Sequence, residues 1–265
     1  MKGKFGTTAA VPPCTTSAGL STEPGPVDRP PVGSPRRSVA IVLSNYNHGR
    51  YLPTSLAAIC GQSRPADQII VVDDGSSDGT RRIAEYHERK HPSVRLLSQG
   101  NAGVTVARNR GVAVARGEYL AFLDQDDRWR PEALATHLCA FGLEPALAYT
   151  VAHQRCFLEP GADCPDWFRL QPLGEPLPAF LPGGLMVRRS VFAELGGFDP
   201  RYPISSDADW FARARDAGLP MRLLPDVTLE RRIHRANQSS QAAVIHRELF
   251  QLLRASIDRK RRGSR

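Results

Sequence analysis

The sequence has few cysteines, and none of them belongs to a C-x-x-C pair. The five are scattered and odd in number: Cys14, Cys60, Cys139, Cys156 and Cys164. Neither a zinc site nor a disulfide framework is therefore predicted, and a reducing cytoplasm is the expected compartment. Long apolar runs are absent too, since no window approaches the roughly 18–20 residues that a membrane-spanning helix needs. The N-terminus also has no continuous apolar segment of the kind found in secretory signals.

The central part of the chain lacks a net charge. Residues 1–37 hold five Lys/Arg and two Asp/Glu, residues 254–265 hold six Lys/Arg and one Asp, and the 24 basic and 24 acidic residues between them cancel. The overall charge of +8 lies in the ends. A nucleic-acid-binding protein needs basic residues on a folded face, so this class is disfavoured. The basic tail at 257–265 is expected to be solvated, with peripheral contact at the inner face of a membrane as the alternative.

A glycine-rich G-x-G-x-x-G turn is missing after the first apolar run. The chain reads SNYNHG at 44–49 instead. A nicotinamide-dependent dehydrogenase uses that turn to bring the pyrophosphate close to the backbone. The dehydrogenase class is therefore disfavoured as well.

Apolar runs alternate with helical patterns in the first half of the chain. Strands are predicted at 38–43, 68–74, 94–97 and 118–123, and helices at 51–60, 80–90 and 104–115. Right-handed crossovers would make these strands parallel and bring the polar residues that follow them to one edge of the sheet. Residues 1–37, rich in Pro, Gly, Ser and Thr, are predicted to be disordered.

The second half is less regular. It contains a helix at 131–141, a strand near 146–152, a proline-rich stretch at 158–182, a helix from Ser190, a helix from an N-cap at Ser206 to about Ala217, extended residues at 220–233 and a last helix at about 238–258. Trp129, Phe198 and Trp210 are expected to be core residues.

Three carboxylates follow the fourth apolar run within four positions: Asp124, Asp126 and Asp127. Like charges this close raise one another's pKa values unless a cation lies among them. Carboxylate oxygens are the ligands that Mg²⁺ and Mn²⁺ prefer. The alternative is an acidic turn in which one Asp caps the helix that Pro131 opens. The cluster alone leaves both interpretations open.

Several motifs occur in one order along the chain. They are VLSNYN at 42–47, VVDDGSSDGT at 71–80, ARNRG at 107–111 and GEYLAFLDQDD at 117–127, followed by GGLMVRR at 183–189, GGFD at 196–199 and SDADW at 206–210. The first four resemble the nucleotide-binding half of the family 2 glycosyltransferases, and the last three resemble the acceptor half. The resemblance implies a GT-A fold, an α/β architecture with a Rossmann-like, mostly parallel sheet flanked by helices. The single domain would span 38–256, divided into a nucleotide-binding half (38–127) and a less regular acceptor half (128–256).

The resemblance also implies roles for residues at the strand ends. Ser44 and Tyr46 match positions that contact the nucleotide base. Asp74 matches the carboxylate that accepts a hydrogen bond from the ring N–H of the base, which favours uracil or thymine. Arg108 matches the Arg of the family's A-R-N segment; it would lie near the diphosphate or anchor its helix to the acidic turn.

A metal site and a general base are implied in the same way. Asp126 and Asp127 would lie nearest the ribose and a divalent Mn²⁺ or Mg²⁺ ion, with His234 as a third metal ligand or a phosphate contact. Asp207 matches the general base, and Ser206 stands where the family usually has a glutamate. Gly183 and Gly184 match the acceptor loop, where glycine would allow close approach to the sugar.

The function that the resemblance implies is an inverting, metal-dependent glycosyl transfer. The donor would be a nucleoside-diphosphate sugar, UDP-linked in preference to dTDP- or GDP-linked, and the acceptor a hydroxyl of a glycan, a lipid-linked saccharide or a small molecule. The alternative is a non-catalytic relative with the same fold that binds a sugar nucleotide or glycan without transfer. Ser206 keeps this alternative open, and the retained Asp126, Asp127 and Asp207 argue against it.

Overall fold

The computed structural model describes residues 37–169 and 172–263. The N-terminal segment that its composition predicts to be disordered lies, apart from Arg37, outside these residues. No helix within the described ranges is both long enough and apolar enough to cross a membrane.

Four parallel strands form the first half of the sheet. They are β1 (Val39–Asn45), β2 (Gln68–Asp73), β3 (Val94–Ser98) and β4 (Tyr119–Asp124), and they lie in the order β3-β2-β1-β4. Ser44 near the end of β1 is in register with Val72 of β2 on one side and Asp124 of β4 on the other. The polar residues that follow the strands therefore meet at one edge of the sheet, which confirms the prediction.

The second half of the sheet is mixed. β8 (Leu185–Arg188) runs antiparallel to β4 and is followed by β6 (Tyr149–Leu158), β9 (Met221–Ile233) and β5 (Arg128–Trp129), while β7 (Pro176–Pro178) pairs with β6. β5 follows the acidic cluster directly and pairs antiparallel with β9. This pairing joins the cluster to the C-terminal part of the chain.

Helices cover both faces of the sheet. α1 (Leu52–Cys60), α2 (Thr80–Lys90) and α4 (Ala133–Leu143) pack on one face, and α3 (Val104–Val114), α5 (Arg189–Leu195) and α6 (Ser206–Asp216) on the other. Successive residues of β1 alternate between the two cores, as the two-residue period of a strand requires. The expected core residues Trp129, Phe198 and Trp210 are all buried.

Long-range contacts move several boundaries in the second half. β6 continues to Leu158, well past the predicted end, because it pairs with β9 along its whole length. Ser206 is the first residue of α6 rather than its N-cap. Its hydroxyl is 3.1 Å from the Thr105 hydroxyl and caps no backbone N–H. The last helix, α7 (Ala242–Gly263), packs against α6 and runs past the predicted end, so the basic residues at 259–262 continue a helix.

The glycine pair before β8 is explained by close packing within the protein. Gly183 and Gly184 lie in a buried 3₁₀ turn, and the Gly183 carbonyl accepts a hydrogen bond of 2.7 Å from the Trp129 indole. A Cβ on Gly184 would lie 2.3 Å from the Cβ of Ala179 and 2.4 Å from its carbonyl oxygen. The side chain is excluded by backbone and core, and the acceptor-loop role of the two glycines stays a prediction.

Gly184→Ala is expected to lower the free energy of unfolding by about 1–3 kcal/mol, because the added methyl group overlaps the backbone of Ala179. Gly100→Ala is the matched control, since a Cβ there meets no described atom within 4 Å. The control should change stability by less than about 0.5 kcal/mol. Urea unfolding at unchanged m-value measures both, and equal stabilities would contradict the packing explanation.

Candidate active site

A cavity of about 430 Å³ opens at the carboxyl ends of the parallel strands. Its lining comes from segments far apart in sequence: the turns after β1, β2 and β4, the start of α3, the start of α6 and residues 231–239. The carboxyl ends of parallel strands are where open α/β sheets bind their ligands. Of the residues singled out from sequence, the cavity wall includes Ser44, Tyr46, Asp74, Arg108, Asp126, Asp127 and Asp207.

The end of β1 brings unpaired polar groups to this wall. The Ser44 hydroxyl and both polar atoms of the Asn45 amide are buried and have no hydrogen-bond partner within the described residues. A buried polar group without a partner costs about 1–3 kcal/mol. The Tyr46 ring is 43% exposed and lies at the same wall. A planar, polar ligand here can gain hydrogen bonds that the protein leaves unmade.

Asp74 holds the loop that leads into α3. Its Oδ1 accepts hydrogen bonds from the Gln99 amide at 2.7 Å and the Ala102 N–H at 2.8 Å, and its Oδ2 accepts one from the Gly103 N–H at 2.8 Å. A carboxylate offers about four acceptor positions. The loop therefore occupies three, and Oδ2 keeps one that a ligand N–H can reach.

Arg108 connects α3 to the acidic turn. Its Nη2 lies 2.5 Å from Asp124 Oδ1, and its guanidinium group is 5.8 Å from the centre of the Phe198 ring. Asp124 is thereby paired, whereas Nε of Arg108 has no partner among the described residues. The neighbouring Asn109 points away from the cavity and exchanges two hydrogen bonds with the backbone of Phe198. The helix-anchor role of Arg108 is present in the structure, and the side chain still lines the cavity.

Asp126 is paired with a histidine from the far end of β9. Its Oδ2 lies 3.0 Å from His234 Nε2 and 3.2 Å from the Asn237 amide nitrogen. His234 Nδ1 accepts from the Ala236 N–H at 3.2 Å, so the ring proton belongs on Nε2 and is donated to Asp126. Burial alone would raise the pKa of Asp126, but the hydrogen bond from His234, together with smaller electrostatic effects, holds this pKa below its ordinary value.

Asp127 is the less compensated carboxyl group. Its Oδ1 accepts a hydrogen bond of 2.8 Å from the Arg232 N–H of β9. Burial, followed by the charge of Asp126, raises the pKa of Asp127 well above its ordinary value, while the charge of Arg231 opposes the rise. Additional positive charge beside Asp127 would therefore be electrostatically favourable.

The cavity wall offers carboxylates as candidate ligands for a divalent cation. Within 37–169 and 172–263, no three His, Cys, Asp or Glu side chains are arranged as a complete metal site. Asp126 and Asp127 supply two adjacent carboxylates, and phosphate oxygens and water commonly fill the other positions around Mg²⁺. The two carboxylates fit such an ion. His234 serves as a hydrogen-bond donor here, and its role as a metal ligand stays a prediction.

Asp207 also lines the cavity and lies in the first turn of α6. Its Oδ1 accepts a hydrogen bond of 2.7 Å from the Ala208 N–H. Burial raises the pKa of Asp207 above its ordinary value, and the positive charge of Arg108 counteracts only part of the rise. A carboxyl group with a raised pKa is a better proton acceptor at neutral pH than an exposed one.

Sequence reasoning missed some residues of the wall. Arg231 and Asn237 line the cavity, and Arg231 Nη2 is 2.6 Å from the Ser239 hydroxyl. The basic run at 231–235 was the available signal, although it does not say which arginine faces inward. His48 was missed as well; its Nδ1 lies 2.6 Å from the Gln125 amide nitrogen, and its ring centre is 5.7 Å from that of His234. Gly183 and Gly184 do not line the cavity, whose nearest members are Leu181 and Pro182.

Solved structures share this architecture. The Staphylococcus aureus protein TarS (residues 1–349, in complex with UDP-GlcNAc) superposes with a TM-score of 0.67 at 20% identity, covering 84% of this chain and 66% of that one. The mannosyltransferase PcManGT from Pyrobaculum calidifontis, in complex with GDP-Man and Mn²⁺, superposes with a TM-score of 0.64 at 21% identity, covering 89% and 68%. The likeness confirms the predicted GT-A fold.

Sequence comparison gives the family. YibD of Escherichia coli (strain K12), an uncharacterized glycosyltransferase, is 40% identical over 124 residues, which are 46% of this chain and 36% of YibD. The putative teichuronic acid biosynthesis glycosyltransferase TuaG of Bacillus subtilis (strain 168) is 34% identical over 113 residues, 42% of this chain and 44% of TuaG. The chain thus spans less than half the length of these relatives. The family model described as Glycosyl transferase family 2 matches residues 40–196, more than half of the chain. Together with the predicted motifs and the fold, this match shows that the chain belongs to glycosyl transferase family 2.

Proposed function

We propose that the protein transfers a glycosyl group from a nucleoside-diphosphate sugar to an acceptor hydroxyl, with inversion at the anomeric carbon and with a divalent metal. The proposal rests on one observation: two kinds of carboxyl group, each suited to a different task, line one cavity. An acidic cluster suited to a metal diphosphate and Asp207, a recessed carboxyl group with a raised pKa, line the same cavity.

The donor half of the proposal rests on the strand ends. Tyr46 stacks on the base, the unpaired groups of Ser44 and Asn45 bond its edge or the ribose, and the free acceptor position of Asp74 takes a ring N–H. A ring N–H flanked by carbonyl groups is a feature of uracil, so a UDP-sugar is the first donor to test. The TarS structure contains UDP-GlcNAc and PcManGT contains GDP-Man, so a GDP-sugar is the second.

The diphosphate is proposed to lie between the arginines and the acidic cluster. Arg108 and Arg231 offset phosphate charge, and Asp126 and Asp127 would hold Mn²⁺ or Mg²⁺. When bound, such an ion stabilises the charge that develops on a departing diphosphate. His234 keeps Asp126 ionised and oriented, and in the alternative role it contacts a phosphate directly.

Asp207 is proposed as the general base. Its carboxylate takes the proton of the acceptor hydroxyl while that oxygen attacks the anomeric carbon from the side opposite the diphosphate. A single displacement of this kind inverts the anomeric configuration. The acceptor is proposed to be a glycan, a lipid-linked saccharide or a small molecule, and the protein is proposed to act in the cytoplasm or at the inner face of a membrane.

Donor-dependent thermal stabilisation is the first prediction. UDP or a UDP-sugar with Mn²⁺, at about 100 times its dissociation constant, should stabilise the folded protein by about 2.7 kcal/mol. For a domain of this size the melting temperature should rise by roughly 5–10 °C. EDTA should abolish the shift if a metal bridges the diphosphate and the acidic cluster.

Asp127→Asn is the variant for this measurement, because its amide oxygen can still accept from the Arg232 N–H. It should lose the metal-dependent shift. Asp226→Asn changes an exposed aspartate outside the cavity and should keep it. An equal shift in both variants would remove Asp127 from the site, and no shift with any nucleotide would refute the donor site.

Asp207→Asn should lower kcat about 10²- to 10⁴-fold, because it removes the group that accepts the proton. Donor affinity, measured by calorimetry, should stay unchanged because Asp207 is assigned to the acceptor side. Loss of donor affinity together with activity would mean that Asp207 serves the donor instead.

The pH profile separates a base from a merely structural carboxylate. Asp207 must be ionised, so kcat/KM should be full above its pKa and fall as the pH decreases through it. Because burial raises this pKa, the fall should come at a higher pH than an ordinary aspartate would give. The residual activity of Asp207→Asn should lack this acid limb. An identical limb in the variant would assign the titration to another group.

A further inference from the structure

α7 carries a stripe of exposed apolar side chains. Leu249, Phe250, Leu253 and Ile257 are between 40% and 70% exposed. Their spacing puts them on one side of a helix. The buried residues of α7, Glu248, Leu252 and Ser256, face the body of the protein instead. The stripe is therefore an unpartnered face within the described part of the chain.

Basic residues border this apolar stripe. Arg247, Arg254, Lys260 and Arg261 are exposed on α7, against one exposed acidic residue, Asp258. Arg259 is held by Asp216 of α6 at 2.9–3.0 Å and belongs to the buried side, and Lys260 Nζ is 3.8 Å from the same carboxylate. The exposed surface of the helix thus combines apolar side chains with a net positive charge.

We infer that α7 is a surface-binding helix whose partner is an anionic lipid bilayer. Helices of this composition lie in the plane of the membrane, with apolar side chains at the acyl boundary and Lys/Arg among the phosphates. Each basic residue near an anionic leaflet contributes to attraction that salt weakens. This inference needs no donor, so it stands or falls independently of the proposed function.

Charge argues against a second copy of the chain as the occupant. Two copies that joined their apolar stripes would bring two basic borders together, and like charges at an interface oppose association. Anionic headgroups offer the complementary sign. The lipid surface is therefore the partner that satisfies both the apolar and the basic residues.

Vesicle co-sedimentation of the full chain tests this inference. Native protein should pellet with equimolar phosphatidylcholine and phosphatidylglycerol vesicles and stay in the supernatant with phosphatidylcholine alone. The double variant Phe250→Ser, Leu253→Ser should bind at least about tenfold more weakly, because it removes two apolar side chains from the stripe. Raised salt should release the native protein.

Tyr86→Ser with Leu143→Ser is the matched control, since it removes an exposed aromatic residue and an exposed leucine from other helices. It should bind as the native protein does. Folded native protein that does not bind anionic vesicles, or equal binding by both double variants, would overturn the inference. Dimerisation in sedimentation velocity that only the α7 variant abolishes would overturn it in favour of a self-association surface.

The buried side of α7 carries a separate feature at the start of α6. Glu248 is 2% exposed, and its Oε2 accepts hydrogen bonds from the Ser205 N–H at 2.7 Å and the Ile204 N–H at 3.3 Å. These N–H groups lead directly into α6, whose second residue is Asp207. The positive end of the helix dipole also favours a carboxylate here. The side chain of Ser205, the N-cap residue of α6, makes no capping hydrogen bond.

We propose that Glu248 is a positioning residue for Asp207, a role that rests on the proposed function. By fixing Ile204 and Ser205, it fixes the direction in which α6 starts and thus the position of the Asp207 carboxylate in the cavity. The Ser206 hydroxyl is bonded to Thr105. The carboxylate that accepts from the backbone N–H groups before α6 comes from α7.

Glu248→Ala should lower kcat about 10- to 100-fold, the cost expected for a base displaced by about an ångström. Donor affinity should be unchanged. Glu248→Gln keeps an oxygen acceptor and should retain most of the activity. Ser256→Ala breaks the bond of α7 to Asp216 at the other end of α6 and should leave kcat unchanged.

Hydrogen exchange of residues 204–208 gives a readout that needs no activity. Exchange should rise in Glu248→Ala and stay native in Glu248→Gln and Ser256→Ala. An active native protein whose Glu248→Ala variant keeps the native kcat would overturn the positioning role alone. A native protein that transfers no sugar would refute the proposed function, and unchanged exchange in Glu248→Ala would then overturn the role of Glu248 as well.

Discussion

The main constraint on this structure is the repulsion among the carboxylates of one cavity, whose charge the surrounding residues compensate. Asp124 is paired with an arginine of α3, Asp126 with a histidine that follows β9, and Asp127 with a backbone N–H of β9 itself. The partners come from two segments far apart in sequence, α3 and the residues at and just after the end of β9. Compensation of charge therefore requires β9 and α3 to reach the end of β4, and the mixed half of the sheet makes that meeting possible. Asp127 is left with the least compensation, which is where a cation has the most to offer.

Neighbouring residues of one motif have different roles, because some face the cavity and others hold the backbone of adjacent segments. In the ARNRG segment, Arg108 faces the cavity, while Asn109 holds the backbone of Phe198. In the acidic turn, the backbone oxygen of Asp126 accepts a hydrogen bond from the Arg232 guanidinium, and its side chain faces the cavity. A family motif thus contains residues that line the cavity and residues that hold the surrounding backbone in place. Removing either kind of residue would disturb the site, but only the cavity-facing kind can act on a ligand.

Most of the first half of the fold could be predicted from sequence because β1, β2 and β4 are buried on both faces. Such strands are uninterrupted apolar runs whose ends are marked by polar turns, and β1 to β4 lie within a few residues of the prediction. The second half depends on distant pairing that local pattern does not contain, as Leu158 at the end of β6 illustrates. The directions of successive side chains along β9 could likewise not be predicted from local sequence. Arg231 faces the cavity while the Arg232 guanidinium packs on the Tyr51 and Phe157 rings, a choice set by register alone.

The two sides of α7 have a geometrical consequence. The buried side of α7 is hydrogen-bonded to α6 at both ends, through Glu248 near the start of α6 and through Ser256 and Arg259 near its end. Packed helices keep their axes about 8–10 Å apart. A flat surface bound by α7 would therefore lie at a set distance from α6. The Asp207 carboxyl group would then lie at a fixed height above that surface. An acceptor anchored in that surface would be selected by the length of its spacer, since its hydroxyl has to reach that height.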